Sequence, residues 1–187
     1  MKKIIVGITG ASGVIYGIDL LKKLQAIPEV ETYLVMSAWG KKNIELETDY
    51  SISEVEALAD HLYKNRDLGA TIASGSNLFD AMIIVPATMK TVAAISIGYT
   101  DDLVTRAADV TIKEHRQLIL VPRETPLSAI HLDNLSKLAH LGVKIIPPMP
   151  AFYHRPETIQ DLLDQHSMRL MDALGIHQEV GHRWEGD

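Results

Sequence analysis

The chain has 187 residues, 47% hydrophobic and 22% charged, with a net charge of -6 and no cysteine. That balance predicts one globular α/β domain with a substantial core and excludes a disordered chain. The acidic charge argues against general nucleic-acid or membrane-surface binding, and the missing cysteines exclude disulfides, zinc–thiolate sites and thiol nucleophiles. No apolar run approaches the roughly 20 residues of a membrane span. The N-terminus enters a strand directly, with no signal-peptide core, so the expected location is cytoplasmic.

The first seventeen residues organise the chain. Lys2–Lys3 leads into an apolar strand over 3–8, then Gly10-Ala11-Ser12-Gly13, then a helix over 13–26 with Val14, Ile18, Leu21 and Leu24 on one stripe. The glycines fall as GxxGxxG, at Gly7, Gly10 and Gly13, and not as the GxGxxG of dinucleotide folds. Two readings of the turn stay open. It is a phosphate-binding turn at a helix start, or a plain strand-to-helix connection.

A second strand spans 32–36, and a helix follows through Ile44 to Glu47. Ser53-x-x-Glu56 has the capping-box pattern and predicts a helix to about Tyr63. Asn65–Gly69 reads as a turn and Ala73–Ser76 as a small-residue loop. Asp80–Val85 is a strand stopped by Pro86. Thr88 caps a helix ending near Gly98, and 101–113 is another helix. Strands at 117–121 and 143–146 flank a helix over 128–141, with Gly142 as its C′ residue. Pro156 opens a last helix over 156–174, closed by Gly175, and a tail covers about 176–187. Strands alternating with helices predict a single domain built on a doubly wound, mostly parallel sheet in three layers.

Ligands of such a sheet bind beyond the carboxyl ends of the strands. There the chain places Gly10, Ala11 and Ser12, then Ser37, then Thr88, Met89, Lys90 and Thr91, then Arg123 and Glu124, then Tyr153 and His154. The second strand ends in Met36-Ser37, where a nicotinamide site wants an acid. A mononucleotide, which needs hydroxyls and amides, fits better. Ser37 and Thr88 also read as simple helix caps. Arg123–Glu124 also reads as an exposed ion pair. Arg106, Asp109 and Lys113 share a helix face, either a solvated stripe or a cationic surface for phosphate oriented by Asp109. Arg169 reads as a surface arginine with a packed stem. The eight histidines show no metal-ligand spacing, and Asp101-Asp102 lacks the third acid of a magnesium–diphosphate motif.

Several stretches together resemble the UbiX-type flavin prenyltransferases. They are Thr9-Gly10-Ala11-Ser12-Gly13, Glu47-Thr48, Arg106-Ala107-Ala108-Asp109, Val121-Pro122-Arg123-Glu124-x-Pro126, Ile130-His131-Leu132 and Phe152-Tyr153-His154. The resemblance implies a Rossmann-like, flavodoxin-type domain and a homododecamer with active sites at subunit interfaces. It implies prenyl transfer from dimethylallyl phosphate to N5 and C6 of reduced FMN, without metal. The product would serve a UbiD-type decarboxylase of aromatic acids.

Carried over, FMN contacts fall on Gly10, Ala11, Ser12, Ser37, Thr88, Met89, Lys90, Thr91, Arg106 and Arg123. Prenyl-phosphate contacts fall on Lys113, Arg123, Glu124, Tyr153, Arg169 and Trp184. Catalytic roles fall on Ser12, Glu47, Lys113 and Glu124. Thr88 stands where many members have Ser, and Lys90 where some have Gly. Two other readings compete. One is an FMN-dependent decarboxylase of peptidyl-cysteine type, which the absence of cysteine disfavours. The other is a non-catalytic flavin carrier, which would not need Lys113, Glu124, Tyr153 and Arg169.

Overall fold

A computed structural model of the chain describes residues 1–184 and 186; residues 185 and 187 of the expected tail lie outside them. Six strands form one sheet: β1 (Lys2–Ile8), β2 (Val30–Met36), β3 (His61–Lys64), β4 (Ala81–Ala87), β5 (Gln117–Pro122) and β6 (Lys144–Ile145). Their order is β3-β2-β1-β4-β5-β6, and every pairing is parallel. β1 starts the chain mid-sheet, and the order reverses beside it. One face is covered by α1 (Val14–Gln25), α2 (Ala38–Glu47), α3 (Ile52–Glu56) and α7 (Ile159–Ala173). The other is covered by α4 (Met89–Ile97), α5 (Leu103–Lys113) and α6 (Ala129–His140). The expected three-layer, doubly wound architecture is present.

Strand alternation builds two cores. Ile4, Val6 and Ile8 of β1 and Ile83 and Val85 of β4 point to the α1–α7 side. Ile5, Met82 and Ile84 point to the α4–α6 side. All are essentially fully buried, each contributing roughly 1.5–3 kcal/mol. α1 lies tight on the sheet because residue 17 is glycine. A Cβ there would stand 2.5 Å from the Val85 carbonyl oxygen.

Three segments differ from expectation. The capping box belongs to Ser51 and Glu54, not Ser53 and Glu56. Ser51 Oγ accepts the Glu54 amide at 3.2 Å and the Glu54 carboxylate accepts the Ser51 amide at 2.7 Å. That helix stops at Glu56, and His61–Lys64 is an edge strand instead of helix. The Asp60 carboxylate accepts the Thr32 amide at 2.8 Å, and His61 stacks on Tyr33 at 4.4 Å. These contacts with β2 outweigh local helix preference.

β4 continues through Pro86, whose missing N–H is not needed where the β4–β5 register shifts, and whose carbonyl still accepts the Thr9 amide. The last helix begins at Ile159, because Thr158 and Asp161 form its capping box; Pro156 stays outside.

α7 is fixed to α1 by a polar cluster under its N-terminal half. Asp19 accepts bonds from Ser167 Oγ, Gln160 Nε2 and Lys23 Nζ, and Lys23 also reaches Asp164 at 2.8 Å. Beside it, His166 meets Tyr16 edge to face at 5.0 Å. Burial pushes the His166 imidazole down to about 4, against the raising pull of Asp19.

Gly17→Ala should destabilise the fold by about 1–3 kcal/mol, seen as a lower urea midpoint with an unchanged slope. For His166, the unfolded chain holds more protons than the folded one between pH 6.5 and about 4. Its contribution is therefore intact above pH 6.5 and falls as pH drops toward 4, by up to about 3 kcal/mol. Urea titrations across that window should show a flatter profile for His166→Leu than for the parent chain.

Candidate active site

Thr9 directly follows β1 and ties it to β4. Its hydroxyl donates to the Pro86 carbonyl at 2.8 Å and accepts the Thr88 amide at 2.9 Å. The two central strands therefore stay joined past their last ladder bond, where the strand order reverses. A cavity of about 310 Å³ opens there. Thr9 and Gly10 line it from β1, Ser37 and Trp39 from α2, Thr88, Lys90 and Thr91 from α4, and Asn65 and Asp102 from the β3–α5 side. Gly10 is required by the close approach of α2, since a Cβ would stand 2.3 Å from that of Trp39.

Two helices start at this cavity. Ser37 Oγ accepts the Gly40 amide at 3.0 Å, and Thr88 Oγ1 accepts the Thr91 amide at 3.1 Å. Both are caps, and both face the cavity as well; capping consumes only an acceptor, so the Ser37 proton remains available. The first turns of α2 and α4 add a positive potential suited to an anion or carbonyl-rich ligand.

The turn after β1 is differently used. The Gly13 amide donates to the Glu47 carboxylate at 2.8 Å, and Asn43 Nδ2 donates to the Ala11 carbonyl at 3.2 Å. A side-chain carboxylate thus occupies the amide at the start of α1. Ser12 is exposed on that turn and directly precedes the Gly13 whose amide Glu47 holds.

Thr9, Trp39, Asn65 and Asp102 were not among the expected site residues. Asn65 follows the edge strand that local pattern assigned to helix. Its amide donates to Asp102 at 3.2 Å and its carbonyl oxygen accepts the Val104 amide at 3.0 Å. Asp102 is the N-cap of α5, accepting the Thr105 amide at 2.9 Å. Met89, expected at the cofactor, packs into the α4–α6 core and does not line the cavity.

The remaining residues follow the sheet order along the rim. Past β5, the Arg123 amide donates to the Ala87 carbonyl at 3.3 Å, and the Glu124 carboxylate accepts the Thr125 amide at 3.0 Å. Both side chains are exposed, and the two form no ion pair among the described residues. Past β6, the Tyr153 hydroxyl donates to the His182 carbonyl at 2.9 Å, and its ring meets Trp184 edge to face at 5.7 Å. Arg169 and Asp172 line a second cavity of about 570 Å³ against Lys144, Ile145, Ile146 and Pro147. At about 4.8 Å per strand, the β6 end lies roughly 14 Å along the rim from β1.

α5 runs the other way. Asp102 caps it at the first cavity, and Lys113 ends it about 16 Å below, toward the amino ends of the strands. Arg106 donates to the Ala73 carbonyl at 3.2 Å and pairs with Asp109 at 3.0 Å. Lys113 pairs with Glu114 and not with Asp109. Within one chain, neither cation reaches the rim cavity. Among the described residues no cluster of His, Asp or Glu could hold a metal ion, and no helix is long and apolar enough to cross a membrane.

The Flavoprotein family pattern matches residues 1–170. The chain is 64% identical over 187 residues, all of both chains, to the flavin prenyltransferase LpdB of Lactiplantibacillus plantarum. It superposes with a TM-score of 0.97 on a dodecameric FMN-dependent UbiX-like decarboxylase from Escherichia coli O157:H7, 52% identical, covering 98% of this chain and 100% of that one. A TM-score of 0.97 also relates it to AnUbiX in complex with FMN and dimethylallyl pyrophosphate, 47% identical, covering 99% of this chain and 98% of that one. With the family pattern over most of its length and these identities end to end, the chain belongs to the flavoprotein family and is a prenyltransferase of the UbiX type.

Proposed function

We propose that the chain transfers a dimethylallyl group from dimethylallyl phosphate to N5 and C6 of reduced FMN. The prenylated flavin then serves a UbiD-type decarboxylase of aromatic acids. The observation that carries this reading is the cavity at the β1–β4 switch point. Its walls offer the Ser37, Thr88 and Thr91 hydroxyls, the starts of two helices and the Lys90 ammonium. The donor set fits a mononucleotide with a hydroxylated chain and one phosphate. The end of β2 carries no acid for a second ribose, and Asp102 is spent as a cap. AnUbiX, solved with FMN and dimethylallyl pyrophosphate, supports the same assignment.

FMN supplies the nucleophilic ring carbon and nitrogen. The allylic C–O bond breaks with its electron pair going to phosphate, a new C–N bond forms at N5, and the N5 proton leaves. Charge grows on the departing phosphate, and preorganised cations lower that barrier. Arg123, Arg169 and Lys113, with the Tyr153 hydroxyl, are assigned that work, so the reading needs no metal. As the second bond closes, the prenyl C=C takes a proton on one carbon and bonds to C6 through the other, and C6 gives up its own proton; Glu124, beside the phosphate, is assigned the transfer of these protons. Ser12, on the turn after β1, and Glu47, which ends α2 and accepts the Gly13 amide, are assigned the relay toward N5. The monophosphate is favoured as donor because no aspartate cluster matches a magnesium–diphosphate.

Lys113 and Arg106 enter this scheme through assembly. Ile97, Ile130, Met149, Phe152 and Ile159 are each at least 67% exposed in the single chain. Such surface on a soluble fold marks protein contacts. A homododecamer like that of the E. coli O157:H7 relative would let α5 of a neighbouring copy present Arg106 and Lys113 to the rim. It would complete the active site at a subunit interface, in a cytoplasmic protein.

Anaerobic incubation with reduced FMN and dimethylallyl phosphate, without added metal, should add one C5H8 unit to the flavin by mass spectrometry. Glu124→Gln should slow the gain by at least about 100-fold, and Lys113→Ala should do so by a similar factor. Flavin that stays bound but gains no mass would overturn the transfer. Gly10→Ala, by displacing Trp39, should weaken FMN binding about tenfold in a fluorescence titration.

A further inference from the structure

The tail after α7 turns back along that helix. Ile176 is buried, and Gly181 lies so close that a Cβ would stand 3.1 Å from the Gln165 Cα. Two residues on, the Arg183 guanidinium makes a two-pronged bond to Asp172, at 2.7 and 2.9 Å. Gln165, Arg169 and Asp172 are four and three residues apart, on one face of α7. The segment 181–183 therefore crosses the stripe that carries Arg169. The pair is tight: the Arg183 bonds hold the Asp172 carboxyl at about 2.

The middle of this strap holds Tyr153. The Tyr153 hydroxyl gives its only proton to the His182 carbonyl at 2.9 Å, while Gln165 Nε2 donates to its oxygen at 3.4 Å. That proton cannot also go to a phosphate. Beneath the strap, His154 stacks on His182 at 6.2 Å, and both His154 ring nitrogens are shut from solvent with no partner among the described residues. An unpaired buried imidazole opposes closure. The strap is thus latched at one end and unfavourable in the middle.

We propose that residues 180–184 are a displaceable strap, latched by Asp172–Arg183, that occupies the Tyr153 donor until the phosphate of the prenyl donor takes it. The inference rests on the reading of Tyr153 as a phosphate ligand. Phosphate arrival exchanges the His182 carbonyl for a charged acceptor, which binds a hydroxyl proton more strongly. The strap then lifts at 181–183, His154 regains access to water, and Trp184, released from the Tyr153 ring, is free to turn toward the prenyl chain. Asp172 and Arg183 do not touch the donor; they set how much of its binding is lost to opening the strap.

The test uses the FMN-loaded protein and hydrogen exchange at residues 180–184, with kinetics alongside. Dimethylallyl phosphate should speed exchange there, and Arg183→Gln should speed it without ligand. Arg183→Gln should also lower the KM for dimethylallyl phosphate about three- to tenfold, with kcat within about twofold. The charge-swapped pair Asp172→Arg with Arg183→Asp should restore slow exchange and the parent KM. In the Arg183→Gln background the strap is already loose, so adding Tyr153→Phe reads the phosphate contact alone and should raise KM about tenfold. No rise there would overturn the phosphate reading and the strap with it. A rise there, together with slower tail exchange on ligand binding or a higher KM in Arg183→Gln, would overturn the strap alone.

Discussion

The structure depends on how closely β1 and β4 are held at their carboxyl ends. Two neighbouring parallel strands diverge once their ladder ends. Here the Thr9 hydroxyl spans the gap, donating to Pro86 and accepting from Thr88. Thr9 is 3% exposed, so these bonds form away from competing water. The backbone that leaves β4 is fixed by this bridge, and the start of α4 with it. The cavity at the switch point has its shape because both of its walls hang from one side chain.

The same closeness explains the small residues around it. Gly17 lets α1 rest on the Val85 carbonyl, and Gly10 admits α2 and Trp39. Each removes a Cβ where backbone and helix must nearly touch. The functional groups are then set out by strand order, from Asn65 at the β3 edge to Arg169 beyond β6. Hydroxyls and one ammonium, that of Lys90, gather at the centre, and Arg123, Glu124 and Arg169 lie toward the β5–β6 side. This separation suits a flavin held by hydroxyls and amides beside a donor phosphate held by charge.

α7 links the core to that charged side. Its inner face is locked to α1 through Asp19, Lys23 and Ser167, all largely buried. Its outer face carries Arg169 and, three residues on, the Asp172 that anchors the tail. A rigid helix thus presents one cation to the second cavity while its neighbouring acid is neutralised by Arg183.

Much of this was legible in order along the chain. Alternating apolar strands and capped helices specify a parallel doubly wound sheet, because period 2 and period 3.6 patterns bury different faces. That places Gly10, Ser37, Thr88 and Arg123–Glu124 at strand ends before any coordinates exist. The stretches 9–13, 106–109, 121–126 and 152–154 carry the family resemblance. The edge strand β3 was hidden, because His61–Lys64 is strand only through its contacts with β2 and Asp60, and Asn65 was hidden with it. The capping box shifted by two residues because two overlapping patterns compete, and only the formed bonds choose between them. The sequence by itself determined the fold class and which residue types stand at the strand ends. Tertiary structure alone decided which helix end faces which cavity, that Lys113 lies at the far end of α5, and that the tail covers Tyr153. Those depend on chain direction and on contacts between distant segments, which local pattern does not encode.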